Sequence, residues 1–264
     1  MMNLFLTKEN VAIHYETKGK GFPIILLHGV FQDMEVFAPL IKNLSKQYQV
    51  ISIDMRGHGL SDAPFDSRVD DYVSDIQQLL NGLFINRAFV IGLELGSTVA
   101  LGLAYKSPNL VEGLILINPT DNHKTFPENR IYDRHADEIR TMNDEEKEKY
   151  LMKFRYKNIK KAKKFVKSHI PSHALQTMEE EITIKRSFKD FDILALLHEI
   201  KVKTLVISGK YDGKILYSEG QKISDLLPNS EFVLFEQSGE LPFVEEKEKF
   251  ISEMNEFLSG IPQN

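Results

Sequence analysis

Ala88-Phe89-Val90-Ile91-Gly92-Leu93-Glu94-Leu95-Gly96-Ser97 is the stretch whose reading decides the fold. Four uninterrupted apolar residues run into a glycine, and a second glycine follows four positions later. An apolar run without alternation suits a strand covered on both faces, as in a parallel sheet. The paired glycines suit a sharp strand-to-helix bend that pushes the central side chain outward. From Ser97 to Lys106 the pattern continues as helix. A glutamate therefore stands at the point of the bend.

The same rhythm extends in both directions. Leu4 to Thr7 and Val11 to Glu16 read as short strands, with a turn at Lys18-Gly19-Lys20-Gly21. Phe22-Pro23-Ile24-Ile25-Leu26-Leu27 is a buried strand ending at His28-Gly29. Val36 to Gln47 has helical spacing, and Tyr48 to Ile53 is the next strand. Asp71 to Phe84 is helical, with Tyr72, Ile76, Leu79, Leu80 and Leu83 on one stripe. Leu114 to Ile117 is a further strand, closed by Asn118-Pro119. Between about Thr120 and Phe191 no strand run appears, and charged helical stretches such as Asp144 to Met152 take over. Strands return at Thr204 to Ser208 and Phe232 to Phe235, and a helix from Glu245 to Leu258 closes the chain. Alternation of this kind predicts an α/β fold: a mostly parallel, doubly wound sheet with a helical insert after the sixth strand. The expected division is a core over 1–119 and 192–264 and an insert over 120–191.

Composition narrows the function. The chain has 264 residues, 42% of them hydrophobic, enough for a sizeable core. Its net charge of −5 and lack of a basic stripe argue against nucleic acid as a partner. With no cysteine, disulfide, thiolate and iron–sulfur chemistry are excluded. The first eight residues lack the basic region of a signal peptide. No apolar segment approaches the roughly 18 residues of a membrane helix. The expectation is a soluble cytoplasmic protein without membrane or nucleic-acid partners, with a homodimer allowed.

Five segments, in order, carry a family resemblance. They are Leu26 to Gly29; Asp54-Met55-Arg56-Gly57-His58-Gly59-Leu60-Ser61-Asp62; Gly92 to Gly96; Ser208 to Asp212; and Gln237-Ser238-Gly239-Glu240-Leu241-Pro242-Phe243-Val244-Glu245. Together they resemble the α/β-hydrolase superfamily over nearly the whole chain, and the insert falls where that family carries its cap. The resemblance implies an elbow of the form G-x-S-x-G around residue 94, a triad acid at Asp212, and a histidine at 240. It also implies oxyanion donors at the backbone N–H of Leu95 and of Val30 or Phe31. Two of the three reactive positions depart from the pattern, since Glu94 replaces the nucleophile and Glu240 replaces the histidine. Fold resemblance alone does not fix function.

Serine-triad chemistry needs a hydroxyl nucleophile and a base that can return the proton. Glu94 and Glu240 supply neither. Ser97, three residues past the bend, reads as a packed structural serine, and His28 and His58 read as loop residues rather than replacement bases. His169 and His173 have a metal-ligand spacing, but Pro171 between them argues against a regular helix. That leaves Glu94, Asp212 and Glu240 as the candidate catalytic set, with no metal and no cofactor assigned. Two carboxylates about 4 Å apart repel by about 4 kcal/mol at an effective dielectric of 20, roughly three pKa units. Such a pair could share a proton, bind a hard cation, or receive a ligand. Glu94 could instead fold into the oxyanion donors. Two functional readings follow. One is a scaffold binding a small molecule in a pocket under the cap. The other is a non-classical hydrolase or acid–base enzyme working through Glu94 and Glu240.

Overall fold

In the computed structural model, which describes residues 3–122, 124–169 and 177–262, one eight-stranded sheet organises the chain. The strands are β1 (Asn3–Leu6), β2 (Ala12–Lys18), β3 (Pro23–Leu27), β4 (Gln49–Ile53), β5 (Ala88–Leu93), β6 (Val111–Ile117), β7 (Thr204–Gly209) and β8 (Ser230–Phe235). Their order is β1-β2-β4-β3-β5-β6-β7-β8. β2 pairs antiparallel with β1 and β4, and every later pairing is parallel. The strands that read as unbroken apolar runs have a neighbour on each side: β5 and β7 are buried at every position. Covering both faces of a parallel sheet removes the polar alternation.

Helices α1 (Ala38–Leu44), α2 (Val69–Gly82) and α3 (Leu95–Lys106) occupy the crossovers between the first six strands. Between β6 and β7 lie α4 (Pro127–Arg134), α5 (Ala136–Ile139), α6 (Asp144–Arg155), α7 (Ile159–His169) and α8 (Met178–Lys189). Then come α9 (Tyr217–Leu226), α10 (Pro242–Glu245) and α11 (Lys247–Ser259). The region expected as one helix over 36–47 is a 3₁₀ turn, Met34–Phe37, running into α1. Asp33 caps that turn by accepting from Glu35 N–H, and Pro39 sits in the first turn of α1, so two short pieces form where the apolar spacing suggested one. The helix α9 was not expected. Its buried face is Gly220, Ile223 and Ser224, which gives only one large apolar residue to mark a helix.

The helices between β6 and β7 divide between the two sides of the sheet. Ile184 and Phe188 of α8 join the core packed on α2 and α3. Met152, Ala162 and Phe165 of α6 and α7 join the core on α1 and α11. Charged exposed faces and a few large apolar anchors thus tie this region down, consistent with solvated outer surfaces. Among the described residues no helix is long and apolar enough to cross a membrane. His173 and Pro171 lie outside the described residues.

Candidate functional site

The bend at residue 94 forms because of its glycines. A Cβ at Gly92 would collide with the Gly96 carbonyl, and one at Gly96 with the carbonyls of Leu27 and His28. Only bare backbone lets β5, β3 and α3 approach this closely. Glu94 itself sits at φ 49° and ψ −110°, a conformation that side chains avoid. Its N–H donates to Ile117 O at 2.8 Å, and its carbonyl accepts from Ser97 N–H at 3.0 Å. Ser97 is fully buried and donates to Gly92 O at 2.8 Å, which makes it a structural brace of the bend.

The ends of neighbouring strands bring the other two positions to the same place. Asn118, just past β6, also adopts a positive φ of 44°. Its Oδ1 accepts from Gly209 N–H at 2.9 Å, while its Nδ2 donates to Glu240 O at 3.0 Å. One amide therefore fastens the loop after β7 to the loop after β8. Asp212 Oδ1 accepts from the N–H groups of Lys214 and Ile215 at 2.8 and 3.1 Å, closing a tight turn. Glu245 accepts from Gly239 N–H and Asn158 N–H at 2.8 and 2.7 Å, holding the 238–240 segment against the end of α6.

The turn at Asp212 aims Lys214 inward. Its Nζ lies 3.0 Å from Glu94 Oε1, 2.9 Å from Glu240 Oε1 and 2.8 Å from Glu128 Oε1. Lys214, Glu94 and Glu240 are each 1–2% exposed. A lysine ammonium has three donors, and here three carboxylates surround it. Glu240 is held a second time. Arg155 Nε and Nη2 reach its two oxygens at 2.7 and 3.1 Å, a bidentate pairing, and Arg155 Nη1 donates to Glu148 at 3.1 Å. The two replacement acids are thus joined by an internal cation. A metal is not needed to explain their proximity, and among the described residues no group of three or more His, Asp or Glu is arranged to hold one.

This geometry splits the carboxylates electrostatically. Burial pushes Glu94 up to about 8, with Lys214 opposing and Glu240 adding to the rise. Burial, reinforced by Glu240, also raises Asp212, to about 7. Glu240 goes the other way: burial opposes ionisation, but Arg155 and Lys214 outweigh it and hold Glu240 well below the usual carboxylate range. For Lys214 burial favours the neutral amine, yet Glu128, Glu240 and Glu94 prevail and hold it well above its ordinary value. Of the outcomes left open for Glu94 and Glu240, an evenly shared proton is disfavoured, because the two acids are shifted in opposite directions. Arg155 and Lys214 favour the ionised form of Glu240, whereas burial favours the protonated form of Glu94.

Glu94 does not fill the oxyanion position. Apart from the ion pair of its Oε1 with Lys214, neither carboxylate oxygen has a hydrogen-bond partner among the described residues, so the N–H groups of Leu95, Val30 and Phe31 are not engaged by it. Val30 and Phe31 line the cavity next to Glu240 and Lys214, whereas Leu95 begins α3 beneath it. The two loop histidines are buried as well, His58 with its Nδ1 3.0 Å from Arg56 O and its Nε2 without a hydrogen bond among the described residues. His28 Nε2 accepts from Met55 N–H at 3.0 Å and its Nδ1 meets Gly29 O at 2.7 Å. Burial lowers the pKa of His28, and burial together with His28 lowers that of His58 to about 3. Both are neutral structural rings.

The sequence reading missed Lys214, Arg155 and Glu128. Lys214 carried one weak signal, a charged residue next to apolar Ile215 two positions after the expected acid. Arg155 and Glu128 carried none, because their partners lie 85 and 86 positions away. They sit in charged helices where most other charges face solvent, Arg130 excepted, which pairs with Glu219.

Above these groups is a cavity of about 120 Å³ between the loop after β3 and helices α4, α6 and α7. Its walls combine Phe31, Ile131, Leu151 and Val166 with the charged Glu128, Glu148 and Arg155.

Comparisons with known proteins agree with this architecture. The profile of the alpha/beta hydrolase fold family matches residues 23–247. The pimeloyl-[acyl-carrier protein] methyl ester esterase of Aliivibrio fischeri (strain MJ11) is 24% identical over 259 residues, covering 94% of this chain and 98% of that protein. The proline iminopeptidase of Heyndrickxia coagulans is 24% identical over 271 residues, covering 94% of each. Among solved structures, the esterase EaEST from Exiguobacterium antarcticum superposes with a TM-score of 0.84 at 22% identity, covering 98% of this chain and all of that one. The enol-lactonase from Burkholderia xenovorans LB400 gives a TM-score of 0.82 at 22% identity, covering 97% of this chain and all of that one. At that identity the structural likeness concerns the fold.

Proposed function

The chain belongs to the alpha/beta hydrolase fold family, and from that membership we propose that it is a non-hydrolytic member: a scaffold with a degenerate triad that binds a small molecule beneath a helical cap formed by residues 120–191. The observation that carries this reading is the position of Lys214 Nζ, within 3.0 Å of carboxylates at both the nucleophile and the histidine positions. Hydrolysis by a serine triad would need a hydroxyl and an imidazole there. In this chain the reacting groups are a protonated acid, a pinned carboxylate and an ammonium. Lys214 carries its proton too firmly to act as an amine nucleophile. Glu240 is held ionised by two cations and is too weak a base to activate water near neutral pH. Attack by Glu94 on an alkyl carbon would leave an ester that nothing in the site hydrolyses.

One observation favours the second reading, an acid–base enzyme. A glutamic acid pushed up to about 8 can donate a proton at neutral pH, as catalytic acids in apolar pockets do. In that reading Glu94 is the acid, and Glu240 only fixes Lys214.

Turnover of p-nitrophenyl acetate by purified protein separates these readings from conventional hydrolysis. The expected rate equals that of buffer, and a fluorophosphonate adds no mass to the chain. Saturable turnover blocked by that reagent would overturn the proposal. Turnover of some other substrate, lost in Glu94→Gln while the fold is kept, would select the acid–base reading.

A further inference from the structure

We propose that the outer face of α7 rests the protein against an anionic lipid surface, an inference independent of what fills the cavity. From Lys149 to Met178 the chain carries nine Lys and Arg and not one Asp or Glu. The remaining residues hold 24 cations against 38 acids, so a net −14 stands beside this local +9. The expectation of no basic stripe and no membrane partner came from the net charge of the whole chain, which conceals this separation.

Helical spacing gathers the charge. Lys160, Lys163, Lys164 and Lys167 follow one another at i, i+3, i+4 and i+7, so they share one face over about 10 Å of helix. All four are exposed, and among the described residues none of their ammonium groups has an ion pair or a hydrogen bond. The opposite face carries Ala162 and Phe165, buried in the core, with the rings of Phe165 and Phe243 of α10 6.3 Å apart. The charge pattern does not serve the helix itself. α6 and α8 each place three acids in their first turn, where the helix dipole favours them, whereas α7 has none there and carries Lys160 and Lys161 instead. Lysines three and four positions apart also repel one another. The fold gains nothing from this face, which points to a counter-charge outside the chain.

The residue types select that counter-charge. All four cations on the face are lysines, strongly hydrated point charges, whereas the planar fork of arginine suits recognition of individual carboxylates and phosphates. Protein–protein interfaces are likewise enriched in arginine and depleted in lysine. The one phenylalanine of α7 is buried, so no ring on its outer face could stack a base of single-stranded nucleic acid. A layer of anionic headgroups needs neither fork nor ring, because it attracts lysines through its field. The same field repels the acid-rich remainder of the chain and so turns α7 toward the surface. With Phe165 held in the core, the contact is electrostatic and nothing is inserted. Each lysine near such a surface favours the bound state about fivefold, so four give half-binding near about 1 mM accessible lipid.

The test is co-sedimentation of the whole chain with vesicles of phosphatidylcholine, alone or with about one third phosphatidylserine. The expected result is binding to the phosphatidylserine vesicles only, present at about 20 mM salt and lost at about 500 mM. Lys163→Gln with Lys167→Gln should weaken it about 25-fold, and Lys160→Gln with Lys164→Gln serves if that pair does not fold. Lys20→Gln with Lys46→Gln, at exposed lysines elsewhere, changes the net charge equally and should leave binding within about twofold. Equal weakening by this control pair would overturn the assignment to α7, because net charge alone would then account for binding. Binding to phosphatidylcholine alone, or indifference to salt, would overturn it by showing an apolar attachment. Failure to bind either vesicle at low salt overturns it as well. So does tighter binding, at the same salt, to polyglutamate or single-stranded DNA, since a polymer would then be the counter-charge. None of these outcomes touches the non-hydrolytic reading, which ester turnover decides.

Discussion

Replacing Lys214 by methionine removes the charge at the centre of the site while keeping most of the side-chain volume. In the native chain its ammonium lies within 3.0 Å of Glu94, Glu128 and Glu240, and its side chain is 2% exposed. Removing one partner of a buried ion pair typically costs 3–5 kcal/mol, because the other charge is left in low dielectric. Two features place the cost near the lower bound at acidic pH. Glu240 keeps its bidentate partner Arg155. Burial already raises Glu94 to about 8 against the opposing pull of Lys214, so without that ammonium its acid form is favoured further and leaves no bare charge. The expected loss is about 3 kcal/mol near pH 6, or about 6–12 °C in Tm for a chain of this length. Above about pH 8 Glu94 ionises beside Lys214 in the native chain but keeps its proton to higher pH in the variant, so the loss grows toward about 5 kcal/mol. Urea denaturation of both proteins at several pH values reads this directly, with unchanged m-values confirming a common native state. A loss below about 1 kcal/mol that does not vary with pH would refute the reasoning, since that is how an exposed ion pair behaves.

Glu94→Gln tests the proton on the bend: the native acid has a raised pKa, so its stabilising contribution is complete below about 4.5 and is lost as pH rises through about 8. The decline in stability between those values should be shallower in the variant by urea denaturation, with Asp212 still contributing the same sign up to about 7; an identical slope would show that Glu94 is not the group responsible. Asn118→Ala removes the amide joining Gly209 N–H to Glu240 O and places a Cβ residue without a side-chain hydrogen bond at φ 44°, so a loss of about 2–3 kcal/mol is expected by thermal denaturation. Asn118→Gly, which tolerates the positive φ, should lose less, and equal losses would assign the whole effect to the hydrogen bonds.

The parts of the fold that could be read in advance share a physical cause. Strands covered on both faces leave uninterrupted apolar runs, so β3, β5, β6 and β7 announce themselves. The bend at Glu94 did so through Gly92 and Gly96, because no other residue permits that backbone approach. Helix α9 and the break at Met34–Phe37 were hidden, one by a buried face with a single large apolar residue and one by a local cap. In the site, Glu94, Asp212 and Glu240 were readable because the loops that carry them have recurrent local sequences. The two cations that determine what these acids do were not. Arg155 meets Glu240 only through the packing of α6 on the loop after β8, a contact across 85 positions. Reading three carboxylates without Lys214 made mutual repulsion seem the controlling effect, whereas desolvation and an internal ammonium control it.

Side-chain ammonium signals of ¹⁵N-lysine-labelled protein test the central claim most directly. Exposed lysine ammonium groups exchange with water too fast to be seen at about pH 8, whereas one buried among three carboxylates is protected. A single persistent ammonium correlation, absent from Lys214→Arg, is the expected result. Disappearance of every lysine ammonium signal together as pH is raised, Lys214 included, would show that this side chain is free in solvent and that Glu94 and Glu240 are not joined through it.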